Sequence, residues 1–454
     1  MQSFLQAHSN STAVIKRLAQ ITFIATIVLI PMRLRLVLLP RPDLPVYKDY
    51  TDFLLFAPDI AMLLTIALWG MILLRSHSQI RLGPAYIWIP LVGVSLAGLL
   101  SVSASVDRVL SLYHVIRLAT LFLFFLYIVN EITSPLWIAA SVALQGILQA
   151  LVAIPQFILQ HSIGLQVLGE YMLDPNWAGV SIVLTGSRRI LRAYGLSDHP
   201  NILGGCLAFG LILLLAAWLH GNWKVRLMIL IPFLPMSLAL LLTYSRSAWL
   251  AFLAGAALLV GMEVITRRGH SLTSLIGLAL AVGLTLVPFI AANLSTLGIR
   301  LDANQSFMKI PAEEQSIGER VLLIESADHI FADHALTGVG LGASPTALKN
   351  AYPDFPVDYQ PPHLTLLDAA LETGIFGAMF YSLLLILPWI VLLRHRDWLI
   401  QPQVAAAAAL LLAVTVVGLF DYYTWLLVPG RLWQWLAWGL LAVAIDKANR
   451  YELA

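Results

Sequence analysis

At 454 residues the chain is long enough for several soluble domains, yet 59% of it is hydrophobic and only 11% is charged, against about 25% charged residues in soluble domains. That balance argues against a soluble enzyme and predicts an all-α polytopic integral membrane protein. A net charge near +2 without a basic–aromatic patch gives no sign of a nucleic-acid partner, and the single cysteine, Cys206, excludes an internal disulfide.

In chain order, Lys16-Arg17 precedes the first apolar run and resembles an uncleaved signal anchor. Runs long enough to cross a hydrocarbon core of about 30 Å fall at 18–39, 52–74, 84–103, 109–129, 135–160, 201–219, 226–244, 247–265, 272–292, 365–393, 402–422 and 428–445. These are twelve predicted spans, the first of them interrupted by Pro31, Arg33 and Arg35. The expected organisation is nine spans within 1–292 with an outer loop at about 161–200, a large outer loop at 293–364, and three spans within 365–454.

Basic residues in short loops set orientation. With the N-terminus inside, the inner side collects Lys16, Arg17, Arg75, Arg81, Lys224, Arg226, Arg267, Arg268, Arg394, Arg396, Lys447 and Arg450. The short outer connections hold only Arg41, Lys48, Arg108 and Arg246. Both long loops are therefore expected on the outer face, which for a bacterial chain is the periplasmic or extracellular side of the inner membrane.

The 161–200 loop carries Arg188, Arg189 and Arg192, then Gly195-Leu-Ser-Asp-His-Pro-Asn201. Two Pro-Asn turns, in Asp174-Pro-Asn176 and His199-Pro-Asn201, are each expected to feed a helix. The next polar point is Thr243-Tyr-Ser-Arg-Ser-Ala-Trp249, where Arg246 stands between two apolar runs. An arginine there either snorkels to headgroups or clamps an anion, since the guanidinium fork matches phosphate oxygens.

The 293–364 segment, about seventy residues, is far longer than the usual connection of about 4–6. Ser316-Ile-Gly-Glu319 has the form of a capping box. The helix it would open starts with Arg320 and carries Val321, Ile324, Ala327 and Phe331 on one side. Arg320 either pairs with Glu319 or Glu325 or faces an anion at a helix N-terminus. Gly338-Val-Gly-Leu-Gly342 predicts a tight turn, and without a preceding strand it does not read as a dinucleotide motif. Asp328, His329, Asp333 and His334 match no metal-ligand spacing.

Pro361-Pro362-His363 delivers a histidine to the mouth of the next span, as an interfacial residue or as an acid–base group titrating near neutrality. Within that span Glu372-Thr-Gly374 and Gly377 combine a costly intramembrane carboxylate with small residues suited to close helix packing.

Taken together, these motifs resemble the O-antigen ligase and polymerase superfamily of bacterial envelope glycosyltransferases. They are the Arg192-Ala-Tyr-Gly stretch, the Tyr-Ser-Arg246-Ser turn, Gly-Glu-Arg320, the Gly-x-Gly turn, and His363 before Glu-x-Gly-x-x-Gly. The resemblance implies an enzyme that moves a glycan from an undecaprenyl-pyrophosphate carrier to an acceptor hydroxyl without cofactor, metal or nucleotide. It makes His363 the base, Arg246 and Arg320 the pyrophosphate clamp, and Arg192 a further contact. Ser245, His199 and Glu372 are candidate supports. Family members commonly have His-Asn where this chain has His363-Leu364. Expected partners are the lipid-linked donor, the bilayer, and a glycan, lipid A core, protein or wall-polymer acceptor.

A polysaccharide polymerase of the same superfamily shares these features. A lipid-linked glycan flippase fits the spans but not the polar groups near the outer interface, and an acyltransferase gives no reason for the arginines. The orientation predicts that a reporter fused after Asn350 reads as periplasmic and one after Arg268 as cytoplasmic; the reverse pair would invert the topology.

Overall fold

The computed structural model describes residues 2–76, 78–132, 134–266, 269–301 and 311–452. It is an all-α membrane bundle with two small hairpins. Helix α1 (Gln2–Leu29) leads through strand β1 (Arg35–Leu39) and the short α2 (Lys48–Thr51) to β2 (Phe53–Phe56). Strands β1 and β2 pair antiparallel, with Arg35 opposite Phe56. Helices α3 (Ala57–Ser76), α4 (Ala85–Ser101), α5 (Arg108–Glu131) and α6 (Pro135–Leu159) follow. A second hairpin, β3 (Ile182–Thr185) and β4 (Arg188–Leu191), precedes α7 (Pro200–His220), α8 (Trp223–Leu242), α9 (Arg246–Ile265) and α10 (Gly269–Ala292). Three loop helices come next: α11 (Leu294–Leu301), α12 (Pro311–Asp333) and α13 (Ser344–Ala351). Then α14 (Thr365–Arg394), α15 (Pro402–Gly418) and α16 (Val428–Glu452) complete the bundle.

Among the described residues, 10 helices are long and apolar enough to cross a membrane. The last two predicted spans are occupied by the shorter α15 and by α16, which carries the buried Arg431 and Gln434. Several span boundaries differ from the hydropathy reading. The 18–39 run ends as helix at Leu29, since Arg33 and Arg35 reach Asp198, at 2.5 and 2.8 Å, and leave a strand instead. The 52–74 run begins with strand β2, and the 402–422 run ends as helix at Gly418. Arg267 and Arg268 lie outside the described residues.

The loop elements also correct the sequence reading. The Asp174-Pro-Asn176 turn is closed by the Asn176 N–H donating to Asp174 Oδ1 at 2.8 Å, and it leads to β3; only His199-Pro-Asn201 opens a helix. The helix expected to start with Arg320 behind the Ser316 box begins instead at Pro311, so Arg320 lies within α12 and not at its N-terminus; the side chains of Ser316 and Ile317 lie outside the described residues. Its inward stripe is Leu323, Ala327 and Ile330, while Val321 is 47% exposed. Arg320 stands three residues before Leu323, on that inward side.

Two packing features position everything else. Helix α7 is buried along nearly its whole length and forms the centre of the bundle. Helix α14 is broken at Gly374, whose φ of 71° and ψ of −172° interrupt the helical ladder. Within a bilayer such a break is tolerated only where other groups satisfy the freed backbone. Here the Gly338–Gly342 turn does so. The Val339 and Gly340 N–H groups donate to the Leu371 and Glu372 carbonyls at 2.8 and 3.1 Å, and the Ile375 N–H donates to the Ala335 carbonyl at 2.8 Å. Gly374 is therefore more than a small packing residue.

A Cβ at position 374 would lie 2.4 Å from the Leu336 carbonyl oxygen, on a left-handed backbone. Gly374→Ala is expected to destabilise the protein by about 1–3 kcal/mol or more. The control Gly261→Ala, in α9 with nothing within 4 Å of its Cβ, should be neutral or slightly stabilising. Thermal unfolding in detergent checks this; equal melting temperatures would show that the break is dispensable.

Candidate active site

The site grows from the N-terminus of the central helix. His199 caps α7 with extended backbone (φ −154°, ψ 146°), and its Nδ1 accepts the Asn201 N–H at 3.1 Å. Asn201 bridges two groups. Its Oδ1 accepts from Arg192 Nη2 at 2.6 Å, and its Nδ2 donates to Asp421 Oδ2 at 3.0 Å.

Arg192 is only 5% exposed. Its Nε donates to the Thr243 carbonyl at 2.7 Å and its Nη1 to Ser181 Oγ at 2.8 Å. With the Ala193 N–H donating to the Leu242 carbonyl at 3.0 Å, this straps the 192–201 segment to the turn between α8 and α9. Behind it, Gln156 of α6 accepts the Gly195 N–H at 2.8 Å and donates to the Gly195 carbonyl at 3.0 Å. Arg188 and Arg189, grouped with Arg192 in the sequence, instead lie exposed on β4.

The α8–α9 turn is sharp. Tyr244 takes φ of 49°, rare for an aromatic residue and typical of constrained sites. Its carbonyl accepts from Arg300 Nε at 3.2 Å. Ser245 is buried as the N-cap residue of α9, and Arg246, half-buried, opens that helix. Gly204 of α7 lets this corner approach; a Cβ there would lie 3.0 Å from Ser245 Cβ. The N-termini of α7 and α9 thus meet.

The loop's closing residues complete the group. His363 packs edge-on against Tyr422, with ring centroids 5.0 Å apart. The Tyr422 hydroxyl meets that of Tyr50 at 2.5 Å. Thr365, first in α14, donates to the Asp421 carbonyl at 2.8 Å, so the α14 N-terminus sits beside Asp421. Arg320 acts electrostatically on both His199 and His363. Among the described residues no hydrogen bond or ion pair engages its guanidinium. Burial lowers the His363 pKa to about 4, opposed by Asp421 and reinforced by Arg320. Its Nδ1 is buried without a hydrogen-bond partner among the described residues. The imidazole is therefore neutral from about pH 5 upward, rather than titrating near neutrality.

The structure brings Arg192, His199, Arg320 and His363 together around Asn201 and Asp421, with Ser245 and Arg246 at the adjoining corner. Glu372 is elsewhere. It lies seven residues into α14, roughly 10 Å below its start. There Glu372 Oε1 accepts from Ser344 Oγ at 3.1 Å and Oε2 from Trp425 Nε1 at 2.7 Å, tying the loop to the bundle. Asp328, His329 and Asp333 lie on the exposed side of α12. Sequence reasoning missed Asp421 and Arg300 and saw Asn201 only as a turn residue. Asp421 carried a signal, an acid at the end of an apolar run; Arg300 carried none.

Residues 231–382 match the family described as O-antigen ligase. That stretch belongs to the O-antigen ligase superfamily. The O-antigen ligase match spans Arg246, Arg320, His363 and Glu372, while Arg192 and His199 precede it. A search of curated proteins finds no match.

Removing Arg192 would leave the Thr243 carbonyl, Ser181 and Asn201 short of a donor. An unsatisfied buried group costs about 1–3 kcal/mol. Arg192→Ala is expected to lower the melting temperature in detergent, with Arg192→Lys intermediate. An unchanged melting temperature would show that the strap carries no stability.

Proposed function

We propose that this protein is a membrane glycosyltransferase that moves a glycan from an undecaprenyl-pyrophosphate carrier to an acceptor hydroxyl. The work is done on the periplasmic face of the bacterial inner membrane. The O-antigen ligase match supports the reading, as does the bias of basic residues that leads us to expect the long loops on the outer side. One observation carries it. Arg320, whose guanidinium has no hydrogen bond or ion pair among the described residues, acts electrostatically on both His199 and His363 where the N-termini of α7, α9 and α14 converge.

That corner suits a pyrophosphate. Helix N-termini present unpaired N–H groups and positive partial charge, and Arg320 and Arg246 add fixed cations. As the bond from the anomeric carbon to the phosphate oxygen breaks, its electron pair stays on that oxygen. Negative charge grows there, so these cations stabilise the transition state more than the bound donor. His363 accepts the acceptor hydroxyl proton as the new carbon–oxygen bond forms. Direct attack inverts the anomeric configuration. Arg192, whose donors already face Thr243, Ser181 and Asn201, positions the Tyr-Ser-Arg246 turn. Glu372 holds the loop from below.

The test is transfer by purified protein from a lipid-pyrophosphate glycan to a panel of acceptors, across about pH 4–9. His363→Ala is expected to lose about 10²–10⁴-fold in rate. Arg320→Ala should lose about 10–150-fold, from a charged hydrogen bond worth about 1.5–3 kcal/mol, with Arg320→Lys rescuing only partly. Because the free enzyme's His363 is a base above about pH 4, kcat/KM should stay level through neutrality and fall only as pH drops towards 4. Bound pyrophosphate favours the imidazolium, so the acid limb of kcat should lie at higher pH than that of kcat/KM. Fully active alanine variants would reject the mechanism.

A further inference from the structure

We infer that His199 is a second working histidine of this site, a neutral hydrogen-bond donor through Nε2–H to a phosphoryl oxygen of the leaving pyrophosphate. The inference rests on the reading of the site given above and adds a residue to its chemistry.

The tautomer follows from one contact. A backbone N–H can only donate, so His199 Nδ1, which takes the Asn201 N–H at 3.1 Å, carries a lone pair. In the neutral ring the proton is then on Nε2. The ring is held in place from several sides. It closes the N-terminus of α7, Tyr194 meets it edge-on with centroids 6.2 Å apart, and Asn201 is itself fixed by Arg192 and Asp421.

Its surroundings keep it uncharged. Burial, followed by Arg192, Arg320, His363 and Arg300, lowers its pKa well below the ordinary histidine value. Such a ring is a poor acid–base group near neutrality but a fixed donor, and Arg320, which acts on it electrostatically, marks where an anion would lie.

The two histidines therefore differ in role. The Nδ1 of His363 has no hydrogen-bond partner among the described residues, whereas that of His199 is committed to the helix cap. During transfer the acceptor proton moves to His363, the carbon–oxygen bond to phosphate breaks, and the electron pair remains on the phosphate oxygen. The His199 proton stays on Nε2 throughout, and its hydrogen bond strengthens as that oxygen gains charge.

Two substitutions separate cap from donor. Asparagine caps helices well, and its Oδ1 stands where Nδ1 stands, with nothing at the Nε2 position. His199→Asn should keep the wild-type melting temperature, lose about 10–100-fold in kcat, and be inhibited about 10-fold more weakly by inorganic pyrophosphate. His199→Gln extends an amide N–H towards the Nε2 position and is a poorer cap. It should melt lower than His199→Asn yet transfer faster. Wild-type transfer and inhibition in His199→Asn would overturn the donor role, as would activity that simply follows melting temperature in both variants. A wild-type protein that moves no glycan from lipid pyrophosphate would instead overturn the underlying reading of the site.

Discussion

A helix that stops inside a membrane must still satisfy its backbone, and the architecture of this protein depends on how α14 does so. The break at Gly374 exposes carbonyls that water cannot reach, and the Gly338–Gly342 turn supplies their donors. Those hydrogen bonds set the register of the loop before α14 against the bundle. They anchor the loop between Arg320 and His363, while Glu372, beside the break, holds Ser344 and Trp425. The loop is thus docked through its middle, and the residues on either side of that dock return to one corner.

The corner itself is built on the central helix. Because α7 is enclosed by its neighbours, its first turn cannot drift, and His199 and Asn201 inherit that rigidity. Asn201 joins Arg192 to Asp421, and so joins the loop before α7 to the corner that holds His363. Preorganisation of this kind matters where charge develops, since a group already in place needs no reorganisation when the bond breaks.

Charge at the corner is unevenly neutralised. Arg33 and Arg35 are matched by Asp198 and Asp49, and Arg192 is absorbed into a hydrogen-bond strap. Arg320, in contrast, faces two neutral histidines without a carboxylate partner among the described residues. The positive field left over is local, and is not a matter of the general electrostatics of a chain with net charge near +2.

Hydropathy by itself determined the class, the positions of most spans and the existence of a long polar interruption before α14, because the bilayer imposes length and polarity on each crossing segment. Short motifs also marked His363, Arg246, Arg320, Arg192 and His199. What they did not reveal was which of these residues act together. Arg192 and Arg320 look alike as letters, yet one is enclosed by acceptors and the other is not. His199 and His363 differ by a single backbone contact that fixes one ring's tautomer. Asp421 and Arg300 entered only through the fold, since residues more than a hundred positions apart in the chain become neighbours when helices pack. Boundaries failed at Leu29, at Phe53–Phe56 and after Gly418, because hydropathy records how apolar a run is, whereas contacts elsewhere in the chain, such as Asp198 for Arg33 and Arg35 and β1 for β2, decide where its helix begins and ends. Tertiary packing alone decided those contacts, because burial and hydrogen bonding are properties of the assembled neighbourhood and not of any local stretch.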